Sequence, residues 1–462
     1  MDAVALAAAV RAGQVSALEV TTEALARAVD LNPVVGAFAS LAAEHACTQA
    51  AAVDAAVAAG TLGRAPLAGV PLPIKDLVEV AGLPFEGGSE VMAGHVGVAT
   101  DVVAGRLIEA GSITLGKTST PEFGFPCYTE PDSLPPAVTP WDTTRMAGGS
   151  SGGAAAAVAS GIVPMAHASD GGGSIRIPAA CCGLVGLKPS RGLVNTLPSR
   201  VPGPGLVTDG VLTTTVRDSA LGLDVLAPGH GFLAVLAEAP AGLRIGVTDV
   251  PVISETAEVH RACRAAVAEV ADVLSDLGHA VVPAPRAFPA GRWAAFDAVW
   301  ATGAASLPLP PEAEEDLTPL TSWLRRRGQA VSAAEYAAAL GEIQRLTWDV
   351  EQAWAGLDIV VTPTLAQPPL PVGALRDDDD PAADFAAQVD FTPWTSVANL
   401  TGRPSLSLPL VRADVEGVEL PIGVMFTGRR GGDALLLRLA AVLEDTLPWP
   451  RTVRPRAGFG AA

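Results

Sequence analysis

Between Gly148 and Arg176 the chain reads GGSSGGAAAAVASGIVPMAHASDGGGSIR, two serine-bearing glycine turns on either side of an alanine run and an apolar segment. No other stretch limits the fold as tightly. A helix of about nine residues rises roughly 14 Å, and a strand returns over a comparable distance. Ser150 and Ser174 can therefore meet at one end of a helix–strand unit. Glycines 171–173 allow the backbone to turn its N–H groups inward with no side chain crowding what they face.

Two other uses of the glycines fit less well. GGSSG at 148–152 matches the G-x-S-x-G elbow, which makes Ser150 the nucleophile of an α/β-hydrolase-type esterase. That elbow needs a strand feeding the serine, whereas TPWDTTRMA precedes it, and none of the six histidines comes with a convincing acid partner. A phosphate cradle needs a Lys-Ser/Thr ending or a G-x-G-x-x-G within a βαβ unit, and neither loop has one. The same backbone donors suit the oxyanion of an acyl-transfer intermediate.

A serine attacks only when a base takes its proton. Of the 30 basic residues only Lys75, Lys117 and Lys188 are lysines, so arginine fills nearly every other cationic position. A lysine among arginines marks a place where an amine able to lose its proton is wanted. Lys75 lies inside the apolar run LAGVPLPIKDLVEV (67–80), where desolvation lowers an amine's pKa. Lys117 and Lys188, in GKT and GLKP, read as more exposed or structural.

Helix and strand signals alternate along the rest of the chain. Ser16 and Glu19 form a capping box opening a helix over 17–30, and an alanine-rich helix covers about 38–59. Strands are expected over 67–80, 113–117, 162–168, 243–250, 280–283 and 358–364, with helices over 101–110, 154–160, 258–277, 332–355 and 433–445. Residues 405–427 read as a hairpin. The pattern specifies an α/β fold: a single large domain with a central mixed β-sheet covered by helices on both faces. Within it lie an N-terminal helical segment (1–60), a core of about 65–225, and an insertion with the C-terminal part (226–462). The Pro-rich stretch 305–320 and the acidic loop 373–384 read as surface insertions.

Composition sets further bounds. A net charge of −19 with no basic run argues against nucleic acid as a partner. No window approaches the length of a membrane span, and Asp2 stands where an export signal wants basic residues. Five unpatterned cysteines fit a reduced, cytoplasmic protein, and no metal-ligand spacing is present.

PIKD (73–76), GGSSGG (148–153) and DGGGSIRIPAA (170–180) together resemble the amidase signature family of serine hydrolases. GLVGLKPSRG (183–192), NLTGRPSLSLP and LPIGV extend the resemblance over essentially the whole chain. It implies the amidase signature fold and a Ser-cisSer-Lys triad. Ser174 forms the acyl-enzyme, Ser150 bridges on a cis Gly149–Ser150 peptide, and Lys75 is the ultimate base. It also implies an oxyanion hole from the N–H groups of Gly171, Gly172, Gly173 and Ser174, with Ser151, Asp170 and Arg176 in support. Gly124, Phe125, Cys127, Trp394 and Asn399 are candidates for the substrate pocket. The implied activity is hydrolysis of carboxamide C–N bonds, extending to anilides, carbamates or nylon-type oligomers, by a monomer or homodimer needing no cofactor or metal. RIPA and LPWPRTVRP are most like the 6-aminohexanoate cyclic dimer hydrolases and related broad amidases. The alternative is the glutaminase subunit of a tRNA-dependent amidotransferase, whose usual IRQPA is IRIPA here.

Overall fold

Where consecutive strand residues are all buried, a sheet must be covered on both faces. In the computed structural model, which describes residues 1–201 and 203–455, four strands of the larger sheet meet that condition: Met165–Asp170, Val185–Lys188, Thr208–Thr213 and Ile359–Pro363. In chain order the strands are β1 (Phe38–Leu41), β2 (Ile74–Lys75), β3 (Gly116–Thr118), β4 (Met165–Asp170), β5 (Val185–Lys188), β6 (Thr208–Thr213), β7 (Arg244–Val247), β8 (Ala280–Pro283), β9 (Ile359–Pro363), β10 (Ser405–Val415) and β11 (Val418–Gly428). The main sheet has eight strands in the order β4-β6-β5-β10-β11-β9-β7-β8. Pairing is antiparallel from β4 to β9 and parallel from β9 to β8, so the sheet is mixed. This is one large α/β domain.

The hairpin expected over 405–427 is β10–β11, paired from Ser405↔Thr427 to Val415↔Val418. Glu416 and Gly417 close it with φ of 56° and 85°, the two left-handed residues that match the twist of the flanking strands. A second sheet, β1-β3-β2, lies beside the first and carries Lys75.

Several expected elements are redrawn. Only Ile74 and Lys75 of the 67–80 run join a ladder, because Pro71 and Pro73 lack the N–H a strand interior needs. The helix expected over 38–59 begins at Ala43. Gly36, at φ 60°, ends the preceding helix, and the Asn32 side chain accepts from Phe38 N, freeing residues 38–41 to pair with β3. The acidic loop ends in a helix, Pro381–Phe391, which Asp380 caps, and the Pro-rich stretch runs into another, Pro319–Ala330. Among the described residues, no helix is long and apolar enough to cross a membrane.

The helix Gly152–Ala159 is buried at every residue. A Cβ at Gly153 would sit 2.4 Å from Ala37 O and 2.5 Å from Ser119 N, so glycine is what allows this helix to approach the small sheet. Lys117 corrects its sequence reading: it is fully buried, and its Nζ donates to Asp76 Oδ1 at 2.8 Å and Pro84 O at 3.1 Å. Lys188 is likewise buried, its Nζ on Pro189 O at 2.6 Å. Replacing Lys117 by Met strands the Asp76 carboxylate in the interior. The expected loss of stability is about 3–5 kcal/mol, read from denaturant midpoints of the two proteins.

Candidate active site

Lys75 points into a space with no exposure to solvent. Its Nζ donates to Ser150 Oγ at 2.8 Å and to Ser169 Oγ at 3.2 Å. Burial, the dominant effect, lowers its pKa to about 7, with the carboxylates of Asp170 and Asp209 partly opposing and Arg200 adding to the depression. An amine in that range is substantially uncharged near neutrality and can accept a proton. The peptide Gly149–Ser150 is cis. A Cβ at Gly149 would lie 2.7 Å from three main-chain atoms of Tyr128, so the turn packs directly on that segment's backbone. Thr120 Oγ1 holds Ser150 O at 3.0 Å, and Thr129 Oγ1 holds Gly148 O at 2.9 Å.

The elbow reading of Ser150 fails on both its requirements. No strand feeds this turn among the described residues, and the hydroxyl's partner is a lysine amine instead of a histidine.

The helix–strand return expected from the sequence is present. The helix Gly152–Ala159 runs away from the first turn and β4 returns to the second. Ser151 Oγ meets the Ser169 main chain where they rejoin, at 3.3 Å to its O and 3.4 Å to its N. Beyond β4 the loop 171–174 is fastened by its other groups. Thr395 Oγ1 donates to Gly172 O at 2.6 Å, Ile177 N to Gly173 O at 2.7 Å, and Ile175 N to Asp170 Oδ2 at 3.1 Å. The N–H groups of Gly171, Gly172, Gly173 and Ser174 donate to no described residue. Such free main-chain donors are what an oxyanion requires. Gly173 has φ 143°, and a Cβ there would fall 2.6 Å from Ile177 Cδ1 and 2.7 Å from Thr395 Oγ1. Ser174 is 8% exposed, and its Oγ also makes no hydrogen bond to a described residue.

Asp170 and Arg176 form a fully buried, two-pronged pair: Nε to Oδ2 at 3.0 Å and Nη2 to Oδ1 at 2.9 Å. Against the cost of burial, Arg176 is the leading cause that holds Asp170 down, to about 2. Asn399 completes the cluster, donating to Asp170 Oδ1 at 2.9 Å and accepting from Arg176 Nη2 at 2.7 Å. Its side chain is thereby used up under the loop, and it does not line the cavity beside Ser174 as expected from the sequence. Nor does Trp394, which is 2% exposed with Nε1 on Val250 O at 2.9 Å.

A cavity of about 60 Å³ has Ser174 in its wall, with Phe125, Trp293, Phe296, Trp300 and Phe385 around it. Cys127 also lines it, and Gly124 lies between the cavity and Ser150, its would-be Cβ 3.2 Å from Ser150 Oγ. Trp300 stands edge-on to Phe125 at 5.6 Å and stacks on Phe296 at 5.3 Å. A Cβ at Gly171 would lie 3.0 Å from the Trp300 ring, so the space beside that glycine is occupied by the indole. No lining residue is charged. Apart from Ser174, the polar ones are partnered: Cys127 N with Gln388 Oε1 at 2.8 Å, Trp293 Nε1 with Ser396 Oγ at 2.8 Å, and Thr392 Oγ1 with Gln388 O at 2.8 Å. A larger groove of about 930 Å³ beside Met1, Glu23 and Arg451 contains none of the candidate residues.

Sequence reasoning missed Ser169 and the aromatic wall. Ser169 was readable as the partner two positions from His167 in a strand of buried polar residues. Trp293, Phe296 and Trp300 fall at i, i+3 and i+7, one face of a helix.

Residues 19–437 match the family profile described as Amidase. The chain belongs to the amidase signature family. It is 37% identical over 98% of its length to a Mycobacterium tuberculosis protein bearing the provisional name amidase AmiC, of which the match covers 96%. Among solved structures, 6-aminohexanoate cyclic dimer hydrolase complexed with substrate aligns with a TM-score of 0.88 at 30% identity, covering 99% of this chain and 98% of that one. A bacterial aryl acylamidase aligns at 0.85 and 27% identity, covering 97% and 96%. The protein is thus an amidohydrolase acting on C–N amide bonds.

The buried amine also leaves a thermodynamic signature. The Lys75 pKa is about 7 in the folded protein and about 10.4 in an unfolded chain. Between these values the unfolded state binds the extra proton, so wild-type stability rises with pH across that window. Lys75→Met removes the penalty. Its melting temperature is expected to exceed the wild type's by most below pH ~7, with the gap closing toward pH ~10, as followed by calorimetry across pH.

Proposed function

We propose that this amidase hydrolyses uncharged carboxamides through an acyl-enzyme on Ser174, with Ser150 as the bridging hydroxyl and Lys75 as the base. The observation that carries this reading is the solvent-free contact of 2.8 Å between Lys75 Nζ and Ser150 Oγ. Neutral Lys75 takes the Ser150 proton as Ser150 takes that of Ser174, and Ser174 Oγ bonds to the substrate carbonyl carbon. Rotation of the Ser174 side chain toward Ser150 is the motion this step requires. The oxyanion is held by the free N–H groups of loop 171–174. The C–N bond breaks as the proton returns through Ser150 to the departing nitrogen. Water then attacks the acyl carbon as its proton passes through Ser150 to Lys75, and the bond from that carbon to Ser174 Oγ breaks as the same proton returns through Ser150 to Ser174, releasing the acid.

The cavity favours an apolar or aromatic group beside the scissile bond. Anilides and cyclic or linear oligomer amides of the kind handled by the similar solved hydrolases fit that chemistry, and carbamates share it. Glutamine fits poorly, because its ammonium and carboxylate would meet no charged lining residue, which disfavours the amidotransferase-subunit reading.

The test is a hydrolysis panel of aliphatic amides, anilides, carbamates, nylon oligomers and glutamine, with mass spectrometry of the protein after a fluorophosphonate. The expected adduct is on Ser174. Lys75→Ala is expected to lower turnover at least about a hundredfold with the fold intact by circular dichroism. Activity is expected to rise with pH through a limb near 7, where the lysine loses its proton. An adduct on Ser150, or undiminished turnover by the lysine variant, defeats the proposal.

A further inference from the structure

Lys75 is gripped at both ends. While its Nζ meets the two serines, its main-chain N–H donates to Nδ1 of His167 at 3.3 Å, and His167 N donates to Pro73 O at 3.1 Å. The β4 histidine therefore brackets the short segment carrying the lysine. Accepting at Nδ1 leaves the proton on Nε2, which faces Asp209 Oδ1 at 3.1 Å. The imidazole is neutral in this arrangement, since a second ring proton would confront the Lys75 N–H. Burial also pushes the His167 pKa below its ordinary value. Both His167 and Asp209 have no exposure.

The far side of Asp209 meets Arg200, whose Nη2 donates to Oδ2 at 2.9 Å. Arg200 Nε donates to Asp101 Oδ2 at 2.6 Å, and Asp101 is the N-cap of the helix Val102–Glu109. The Arg200 side chain is 31% exposed, so a row of bonded groups runs from the protein surface to the buried lysine.

We propose that Arg200, Asp209 and His167 form a positioning chain for the Lys75 base. His167 fixes the lysine's main chain, and Arg200 engages Asp209 in its own ion pair, leaving the amine free to exchange protons with Ser150. This rests on the assignment of Lys75 as base. The charges facing that amine are few: Asp170 on β4, Asp209 on β6 and Arg200 from the loop between β5 and β6. Asp170 is committed to Arg176, and near β2 and β3 Asp76 and Lys117 satisfy one another at 2.8 Å. Asp209 would draw a proton onto Lys75 if Arg200 did not neutralise it. The chain thus uses a surface cation to keep a buried amine uncharged.

Two substitutions push in opposite directions, which a merely structural role would not do. Arg200→Gln exposes Lys75 to an uncompensated Asp209, while Asp209→Asn removes the carboxylate and leaves the cation. With 4-nitroacetanilide as probe, the acid limb of kcat/KM is expected to move up by about 0.5–1 pH unit in Arg200→Gln, so that kcat/KM at low pH falls about 3- to 10-fold and the deficit shrinks as pH rises. In Asp209→Asn the limb is expected to move down, and Arg200→Lys is expected to restore the wild-type limb. Limbs coincident with wild type, or shifts of the same sign in both variants, overturn the chain while fluorophosphonate still labels Ser174. Wild-type protein that neither hydrolyses the panel nor takes the label overturns the triad itself, and the chain with it.

Discussion

A lysine amine brought out of water next to a hydroxyl is the interaction around which this molecule is built. Desolvation depresses the amine's proton affinity, so the environment that leaves Lys75 uncharged near neutrality also makes it costly to fold. Everything near it keeps water out without supplying an ion-pair partner. The alanine- and glycine-built helix Gly152–Ala159 closes against the small sheet, and β4 covers the lysine with Ser169 and His167. Small residues are needed because the helix and sheet backbones approach within contact distance, as Gly153 shows.

Three buried carboxylates of the surrounding structure are paired away from the lysine. Asp76 pairs with Lys117, Asp170 with Arg176, and Asp209 with Arg200. Each carboxylate is answered by a cation other than Lys75. The Asp170–Arg176–Asn399 cluster has a second consequence. By fastening the side of loop 171–174 away from the cavity, it leaves the loop's N–H groups as the part with no partner, an oriented set of donors that needs no reorganisation when charge develops.

Much of this was legible in the sequence, for physical reasons. Clustered glycines mark turns and an alanine run marks a helix, so the 148–176 unit could be placed, and a lone lysine in an apolar run among arginines marked itself. The β10–β11 hairpin was legible because its strands alternate and its turn residues can take positive φ. What escaped depends on long-range packing. Burial of Lys117 and Lys188 follows from contacts that local sequence does not encode. A strand reading of 67–80 rested on hydrophobicity and overlooked the missing donors of Pro71 and Pro73. Asn399 and Trp394 sit on or at the start of the helix Thr395–Thr401, and only the three-dimensional path shows that Asn399 faces the underside of the loop.

The division of labour along the chain bears on how selectivity can vary. Lys75, Ser150, Ser174 and the donor loop come from the contiguous stretch between residues 75 and 174, locked by glycines that tolerate no Cβ. Three of the five rings around the cavity come from the segment Trp293–Trp300, and a fourth from the helix Pro381–Phe391, both far along the chain. The two systems touch at Gly171, where the Trp300 indole occupies the space that any larger residue would fill. A side chain at 171 therefore requires the indole at 300 to give way slightly. Changing the cavity's aromatic wall means altering its contacts with Gly171 and Gly172, while the Lys75 amine and the Ser150 hydroxyl stay where the tighter packing holds them.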